Sequence, residues 1–524
     1  MLAAAVNLTP ADFGLVNYAV LTVYFLGMLV LGLWAGRRTT GAAAYFTAEG
    51  RVHHVLVGLS LLGTYLSSLT MMSLPAFSFG ARDWTWAVQL PFLIVTALVI
   101  TRVVLPRYRR EGCLSVYEFL ERRIHVSSRL FAALAFIALS IGRMGLVLYL
   151  PSLAFHIVTG ADLAATIFVM GVVTVVYTVL GGIKGIIWTD AAQVVIFVVG
   201  AVATVFFVFT PGQDFFAVAN ANHKFRFLDW SADVTQEVTY WLVLQTIFET
   251  IRIYATQQEM TQRYLTAESA QRANQSVWIS ILGYIPLGFL FYFIGTGLFV
   301  FYQTHADPAV AELASGKRLD ALYPYFVVTQ MPTGLSGLVI AAFAAAAMST
   351  ISSSMNSCSA VCLEDFYKRF VAPGLSDEHS FAWAKRLAWV WGGLSVVAAL
   401  LCTRIEFAVV VWSKMMAVST CGLLGLMALA FLPRRIHAWA ALTGVAASYA
   451  CLLVMMFFLQ VTPSVALVWA IPEGGAGVNF LLWPVISNLV CFGVALGVNA
   501  ALGHGCGFRV QGSELNHGTE NPEP

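Results

Sequence analysis

The chain has 524 residues, of which 59% are hydrophobic and 11% are charged, with a mean hydropathy of +0.79. This composition is typical of a polytopic membrane protein and excludes a soluble enzyme. The net charge of +2 is too small to indicate a nucleic-acid partner, and the eight cysteines have no CxxC spacing that would indicate a zinc site or a disulfide framework.

Apolar segments of about 20 residues, the length that crosses a bilayer, recur along the whole chain. We predict an all-α protein with thirteen membrane spans, at 15–36, 55–79, 87–105, 130–157, 162–180, 186–210, 238–255, 276–302, 335–360, 386–402, 407–432, 437–460 and 478–502. Because thirteen is odd, the two ends of the chain are expected on opposite sides of the membrane.

The distribution of basic residues predicts which connections lie on the cytoplasmic side of the membrane. Of 29 Lys and Arg, 19 fall in alternate connections and six in the other set. The six are Arg82, Lys224, Arg226, Lys317, Arg318 and Arg404. Because short cytoplasmic loops are enriched in Lys and Arg, the amino terminus is predicted outside and the tail 503–524 in the cytoplasm. The other four basic residues lie inside spans: Arg102, Arg143, Arg252 and Lys414.

The second span, GLSLLGTYLSSLTMMSLPAFSFG, combines glycines, hydroxyl residues and Pro75. Glycine and proline weaken the helical hydrogen-bond ladder and release carbonyl groups that can coordinate an ion. The alternative is a small-residue packing face with a proline kink.

Arg143 lies near the middle of the fourth span, where a guanidinium group is costly unless it has a partner or faces a cavity. One interpretation is a structural pair with an acid from another helix. The other is a bidentate clamp for a substrate carboxylate. Glu249 and Arg252 have the spacing of an ion pair within one helix, which favours a structural role.

The ninth span carries the segment AAFAAAAMSTISSSMNSCSA, in which hydroxyl residues follow a run of alanines. Helical periodicity places Ser349, Ser352 and Ser353 on one face, with Thr350 beside them. Neutral oxygen atoms at membrane depth suit a weakly held monovalent cation such as Na⁺. Asp190 lies near the cytoplasmic start of the sixth span, and its position alone allows an ordinary helix cap or a juxtamembrane charge.

Four segments together resemble the sodium:solute symporter family: the second span, YTVLGGIKGIIWTDAAQVVIF at 177–197, ATQQEMTQRYLTA at 255–267, and AAFAAAAMSTISSSMNSCSAVCLEDFYKRF at 341–370. The resemblance implies a LeuT-type fold in a single transporter domain. Its parts would be an extra first helix (15–36), two inverted five-helix repeats (55–210 and 238–432), two additional helices (437–502) and the tail.

The resemblance also implies binding residues, matched position by position to the family's motifs. The main sodium site would use carbonyl groups and hydroxyls of Gly63, Leu66, Ala346, Ser349 and Thr350. In the sialic-acid-transporting branch, an aspartate similar to Asp190 anchors a second sodium site, whose hydroxyl ligands would be Ser349, Ser352 and Ser353. A substrate carboxylate would bind Arg143, with Ser67, Thr70 and Gln89 beside it. Tyr65 departs from that branch, which has a smaller hydroxyl residue there.

The expected function is sodium-coupled import of a small organic solute by alternating access, with Na⁺ bound at one or two sites. Sialic acid is the leading substrate, because Leu69 and Thr70 replace the Glu-Gln pair of the sugar-binding members and Arg143 favours a carboxylate. Another sugar acid, a monocarboxylate or a neutral solute remains an alternative, as does a membrane sensor or channel-like uniporter on the same scaffold. The expected location is the inner membrane, with the lipid bilayer and a small-molecule substrate as the partners and no obligate protein partner.

Overall fold

The computed structural model describes residues 13–80, 83–209, 214–231, 238–315, 319–403, 415–458 and 480–502. Within these ranges the regular structure is helical, apart from one isolated bridge between Val52 and Ala267. The predicted all-α class is therefore confirmed. The predicted tail 503–524 and Lys414 lie outside the described residues.

The first ten α-helices are α1 Gly14–Gly36, α2 Ala42–Thr47, α3 His54–Tyr65, α4 Ser68–Phe79, α5 Leu93–Val99, α6 Leu105–Glu111, α7 Val116–Arg123, α8 Val126–Thr159, α9 Leu163–Val208 and α10 Phe215–Ala221. The next ten are α11 Thr239–Thr256, α12 Gln258–Thr266, α13 Ala270–Thr304, α14 Pro308–Ser315, α15 Leu322–Gln330, α16 Leu335–Val361, α17 Asp377–Cys402, α18 Leu423–Ala430, α19 Ala438–Phe458 and α20 Trp483–Ala501. A 3-10 segment precedes α5, and π segments join α5 to α6 and extend α16: Trp84–Phe92, Ile100–Val104 and Cys362–Val371.

The thirteen predicted spans all have helical counterparts. Among the described residues, nine helices are long and apolar enough to cross a membrane, and the bent pair α3 and α4 makes ten. The helix α9 covers two predicted spans. The predicted spans 238–255 and 407–432 correspond to α11 and to a shorter apolar helix, Met415–Ala430.

The 46-residue helix α9 is interrupted at Gly182, which has φ 57° and ψ −163°. Only glycine adopts this backbone conformation without strain. The first helix packs against the interruption, because a Cβ atom on Gly36 would lie 2.3 Å from the Cα atom of Gly181. The extra first helix is therefore fixed to α9 by backbone contact between glycines.

Two pairs of consecutive helices are each separated by a short break. The first consists of α3 and α4, which meet at a bend of 57° with Leu66 in an extended conformation. The second consists of α11 and α12, where Gln257 has φ −86° and ψ 126°. The first pair lies within 55–210 and the second within 238–432, the two ranges predicted as repeats. The break in the second span occurs at Leu66, and Pro75 lies inside α4 without ending it.

The segment 256–275, predicted as a cytoplasmic connection, instead contains the helix α12. Eight of the nine residues of α12 are buried, and the helix packs against α3, α11 and α16. Arg263, counted among the 19 cytoplasmic basic residues, is completely buried. The assignment of Arg263 to a cytoplasmic connection is therefore wrong. The sequence misleads here because the residues around Arg263 are polar and give no hydropathy signal of burial.

Candidate functional site

The break between α3 and α4 lies against α16, the helix with the hydroxyl cluster. The packing is close: a Cβ atom on Gly63 would lie 3.1 Å from the Ser349 hydroxyl oxygen. The helical hydrogen bonds of α3 end with the one from the Leu66 N–H to the Leu62 carbonyl oxygen at 2.8 Å, so the Gly63 carbonyl group, one residue further, has no helical N–H partner. The arrangement therefore places carbonyl oxygens released from the helix beside a hydroxyl oxygen of α16.

Two of the residues predicted for the main sodium site, Gly63 and Ser349, are in contact at this point. Gly63 and Leu66 belong to the end of α3 and the break, and Ser349 faces Gly63 across the contact. On α16, the Thr350 hydroxyl donates to the Ala346 carbonyl oxygen at 3.2 Å. Carbonyl and hydroxyl oxygens are the ligands that hard monovalent cations prefer. The five residues remain a predicted sodium site.

Asp190 lies inside α9 and is completely buried. Its carboxylate accepts hydrogen bonds from Ser60 at 2.6 Å, from Ser349 at 2.7 Å and from Arg263 at 2.9 Å. The interpretation of Asp190 as a helix cap or juxtamembrane charge is therefore wrong, because the residue is buried inside the helix, whose N-cap is Asp162. Ser349 connects Asp190 to the predicted main sodium site, because the same side chain faces Gly63.

A guanidinium group occupies the centre of the predicted second sodium site. The Nη2 atom of Arg263 donates to Asp190 and, at 2.5 Å, to the Ser353 hydroxyl, while Nε donates to Ser60 at 2.8 Å. The Ser352 and Ser353 hydroxyls both donate to the Ser349 carbonyl oxygen, at 3.0 and 2.6 Å. Two of the three predicted hydroxyl ligands, Ser349 and Ser353, thus belong to the network around Asp190.

Arg143 is paired with a residue that the sequence analysis did not single out. Its guanidinium group donates to the Glu259 carboxylate and, at 3.0 Å, to the Thr64 carbonyl oxygen. The second oxygen of Glu259 accepts a hydrogen bond from Ser354 at 3.0 Å. Arg143 therefore has an acid partner from another helix and also touches the end of α3 beside the break.

A cavity of about 120 Å³ lies next to Tyr65, at the break, on the side of α4. Its lining is largely polar and aromatic, and consists of Tyr65, Leu74, Gln89, Leu90, Leu93, Gln245, Thr246, Glu249, Thr250, Tyr284 and Tyr292. The predicted substrate residues Tyr65 and Gln89 belong to this lining. Ser67 and Thr70, in and beside the break, and Arg143 do not.

The cavity residues are held in place by contacts between helices. The Gln89 amide oxygen accepts a hydrogen bond from Thr246, and the Tyr65 ring meets the Tyr284 ring edge-on at 4.6 Å. The predicted pair within α11 is present, with Arg252 donating to Glu249 at 2.5 and 2.8 Å. Glu249 also lines the cavity, a role that the spacing of the pair does not reveal.

Sequence reasoning missed Glu259 and Arg263, although both lie in the quoted segment ATQQEMTQRYLTA. The signal was the density of Gln and Thr in that segment, which is unusual for a short connection between two spans. Because α12 has only nine residues, it is too short to register as a span.

Comparisons with known proteins agree with this architecture. The profile of the sodium:solute symporter family matches residues 45–447. The sodium/sialic acid symporter SiaT of Proteus mirabilis is 31% identical over 487 residues, covering 91% of this chain and 93% of its own. The human sodium-coupled monocarboxylate transporter 1 is 30% identical over 463 residues, covering 84% of this chain and 74% of its own.

A solved structure agrees as well. A substrate-bound, outward-open structure of a sodium-coupled sialic acid symporter is 30% identical and has a TM-score of 0.83, covering 94% of this chain and 98% of that one. The fold and the oxygen-rich break at its centre define a multi-pass secondary transporter coupled to Na⁺, and not an enzyme. The chain belongs to the sodium:solute symporter family.

Proposed function

We propose that this symporter imports a carboxylate-bearing solute, with sialic acid as the first candidate. The observation that carries the proposal is the position of Arg143, a guanidinium group at membrane depth that touches the end of α3 one residue before Tyr65 of the cavity. A planar guanidinium group binds a carboxylate through two parallel hydrogen bonds. The names of the relatives SiaT and NanT, both sodium/sialic acid symporters, support the same substrate.

In this proposal Na⁺ binds at Gly63, Leu66, Ala346, Ser349 and Thr350, and it stabilises the state in which the cavity accepts the substrate. A second Na⁺ binds at Asp190 with Ser349, Ser352 and Ser353. Each ligand then raises the affinity for the other through their shared conformation. Each positive charge moved inward gains about 2.3 kcal/mol per 100 mV of membrane potential. The substrate carboxylate offsets one such charge.

The cavity supplies the remaining contacts of the proposed substrate. Gln89, Gln245, Thr246 and Thr250 present amide and hydroxyl groups, and Glu249 presents a carboxylate. Such groups bind the hydroxyl and amide groups of a sugar acid, whereas a small monocarboxylate has few groups to pair with them. Ser67 and Thr70 complete the proposed carboxylate end.

A monocarboxylate is the second candidate, and it is favoured by one observation. The aligned human relative is a sodium-coupled monocarboxylate transporter with nearly the same identity as the sialic acid symporters. The shared element between the two candidates is the carboxylate group, so Arg143 has the same role in both.

The proposed location is the inner membrane, with the amino terminus outside and the tail 503–524 in the cytoplasm. The charge distribution in the sequence supports this orientation. The proposed repeats remain 55–210 and 238–432, with the broken helix pairs α3/α4 and α11/α12 as one supporting feature of each.

Uptake into proteoliposomes tests the substrate. We expect sialic acid to accumulate above equilibrium only when Na⁺ is more concentrated outside. Its methyl ester should compete at least about tenfold more weakly, because it lacks the charge that Arg143 recognises. We expect Arg143→Lys to impair binding and Arg143→Ala to nearly abolish it.

The matched control is Arg102→Gln, which changes an intramembrane arginine that is exposed to the surroundings of the bundle. Uptake by this variant should equal that of the wild type. If the ester competes as well as the acid, the carboxylate assignment is wrong, and the monocarboxylate assignment is wrong with it.

A further inference from the structure

Two buried ion pairs at the site share one helix. Glu259 and Arg263 lie one turn apart on α12, with 1% and 0% of their surfaces exposed. Glu259 pairs with Arg143 of α8, and Arg263 pairs with Asp190 of α9. A single short helix therefore holds both the proposed substrate-binding arginine and the proposed sodium-binding aspartate.

Each pair resembles a ligand complex. The Glu259 carboxylate occupies the guanidinium group that would bind the carboxylate of the substrate. The Arg263 guanidinium group occupies Asp190 and Ser353, whose oxygen lone pairs would coordinate Na⁺. An oxygen lone pair that accepts a hydrogen bond from Arg263 is not available to a cation at the same time.

Charge balance links the two pairs. If a substrate carboxylate took Arg143 alone, Glu259 would be left as a buried negative charge. If Na⁺ took Asp190 alone, Arg263 would be left as a buried positive charge. Uncompensated buried charges are strongly unfavourable. When both ligands bind, Glu259 and Arg263 remain, and residues four apart on a helix with the acid first are well placed to pair with each other.

The contact needed for that exchange is already partly made. The Nη1 atom of Arg263 donates to the Glu259 carbonyl oxygen at 2.7 Å. The guanidinium group of Arg263 is therefore already next to the backbone of Glu259, one turn earlier in α12. A change of side-chain conformation would bring the two charged groups together without moving the backbone of α12 past a neighbouring helix.

We propose that α12 is an internal substitute for both ligands, in which Glu259 stands in for the substrate carboxylate and Arg263 for the second sodium ion. The inference rests on the proposed function. When both ligands bind, Arg143 pairs with the substrate carboxylate and Asp190 with the sodium ion. The helix α12 then loses its ion pairs with α8 and α9, and Glu259 and Arg263 pair with each other. Binding of only one ligand leaves an unpaired charge, and this makes the two binding events depend on each other.

The test uses the full-length protein in lipid nanodiscs, with radioactive sodium and sialic acid as the probes. Because Glu259→Gln removes the competing carboxylate, it should tighten sialic acid binding by about fivefold or more. Because Arg263→Gln removes the competing guanidinium group, it should tighten sodium binding by a similar factor. In the variant that carries both Glu259→Gln and Arg263→Gln, the factor by which sialic acid raises sodium affinity should fall close to one.

The control is Glu364→Gln, which breaks the pair of Glu364 with Lys368 outside α12 and should leave both affinities and their coupling unchanged. A coupling factor in the double variant equal to that of the wild type overturns the proposal. So does weaker binding of sodium by Arg263→Gln or of sialic acid by Glu259→Gln in variants whose thermal unfolding shows a folded protein.

Hydrogen–deuterium exchange on the wild type gives a second measurement that needs no variant. Exchange in residues 258–266 should rise with Na⁺ and sialic acid together more than with either alone, while exchange in α7 stays constant. No additional rise with both ligands overturns the proposal. If the wild type binds Na⁺ but no carboxylate, the substrate assignment fails, and sodium binding by Arg263→Gln alone then decides the inference about α12.

Discussion

At the residue scale, sodium binding is proposed to depend on single hydroxyl groups of α16. Ser349 faces Gly63 and donates to Asp190, and Thr350 lies one residue further along the helix. We expect Ser349→Ala and Thr350→Ala each to weaken sodium activation of uptake. The loss of one oxygen ligand costs about 1–3 kcal/mol, or roughly five- to 150-fold in affinity.

Ser359→Ala is the matched control for this prediction. Ser359 is also completely buried on α16, but its hydroxyl donates only to the carbonyl oxygen of Met355 in its own helix. The sodium dependence of uptake, measured between low and saturating Na⁺, should be normal in this variant. If Ser349→Ala, Thr350→Ala and Ser359→Ala all had equal effects, the proposed sodium site on α16 would be wrong, and the hydroxyl cluster would have only a packing role.

The sequence made some of these residues predictable and hid others for a physical reason. Arg143 and the serines of α16 are polar groups inside apolar spans, so their cost in a membrane marks them as functional. Asp190 is marked by the family motif. Glu259 and Arg263 are surrounded by other polar residues, so their burial follows only from the partners that the tertiary structure brings to them.

At the element scale, a lysine closes the end of α4. Lys224, between α10 and α11, donates to the carbonyl oxygens of Ser78 at 3.1 Å, of Phe79 at 2.9 Å, and of Gly80. A cation at a helix carboxyl terminus pairs with the unsatisfied carbonyl groups and with the helix dipole. The contact attaches the segment after α10 to the second half of the first broken helix.

Burial lowers the pKa of Lys224 from 10.5 to about 8. Between these values the unfolded chain binds more protons at this residue than the folded chain, so the contribution of Lys224 to stability rises with pH in that window. We expect the thermal unfolding temperature of the wild type, relative to Lys224→Met, to increase from pH 8 to pH 10. Thermal unfolding of both proteins in detergent at several pH values measures this difference.

Lys385→Met is the control, because the half-buried Lys385 contacts the Phe381 ring of its own helix α17 and no helix carboxyl terminus. This variant should give a pH profile parallel to that of the wild type. If the Lys224→Met profile is also parallel to that of the wild type, Lys224 is not the source of the pH dependence. The prediction concerns stability and does not depend on which solute is transported.

The elements themselves were largely predictable, because apolar length alone identifies a membrane helix. The two breaks were not equally visible. Gly63 and Pro75 predict a weakened helix in the second span, and the break occurs between them, at Leu66. The sequence does not indicate the break at Gln257, because residues 256–275 are polar enough to predict a connection and the two halves of the chain show no obvious sequence identity.

At the scale of the whole molecule, the orientation in the membrane is proposed from charge. We expect a cysteine in place of Arg110, which is exposed after the third span, to react with an impermeant reagent only from the cytoplasmic side. A cysteine in place of the exposed Asn222 should react from outside. Labelling of intact cells and of inverted vesicles distinguishes the two faces.

The background for this experiment is a variant with Cys506, in the tail, changed to serine, and this variant without a new cysteine is the control. The reverse pattern of labelling would show that the proposed orientation is wrong and that the amino terminus is in the cytoplasm. Burial of Arg263 reduces the count of basic residues in the predicted cytoplasmic set by one, and the difference from the other set remains large.

The interruption of α9 at Gly182 has a practical consequence for protein engineering. A straight helix of 46 residues would be about 69 Å long at 1.5 Å per residue, more than twice the apolar thickness of a bilayer. Two membrane passes are therefore joined with no linker residues, and α1 covers the junction. Epitope tags, protease sites or fusion partners inserted at this junction would separate packed backbones. The exposed turn at Pro373 and Gly374, between the π segment and α17, is the better place for an insertion.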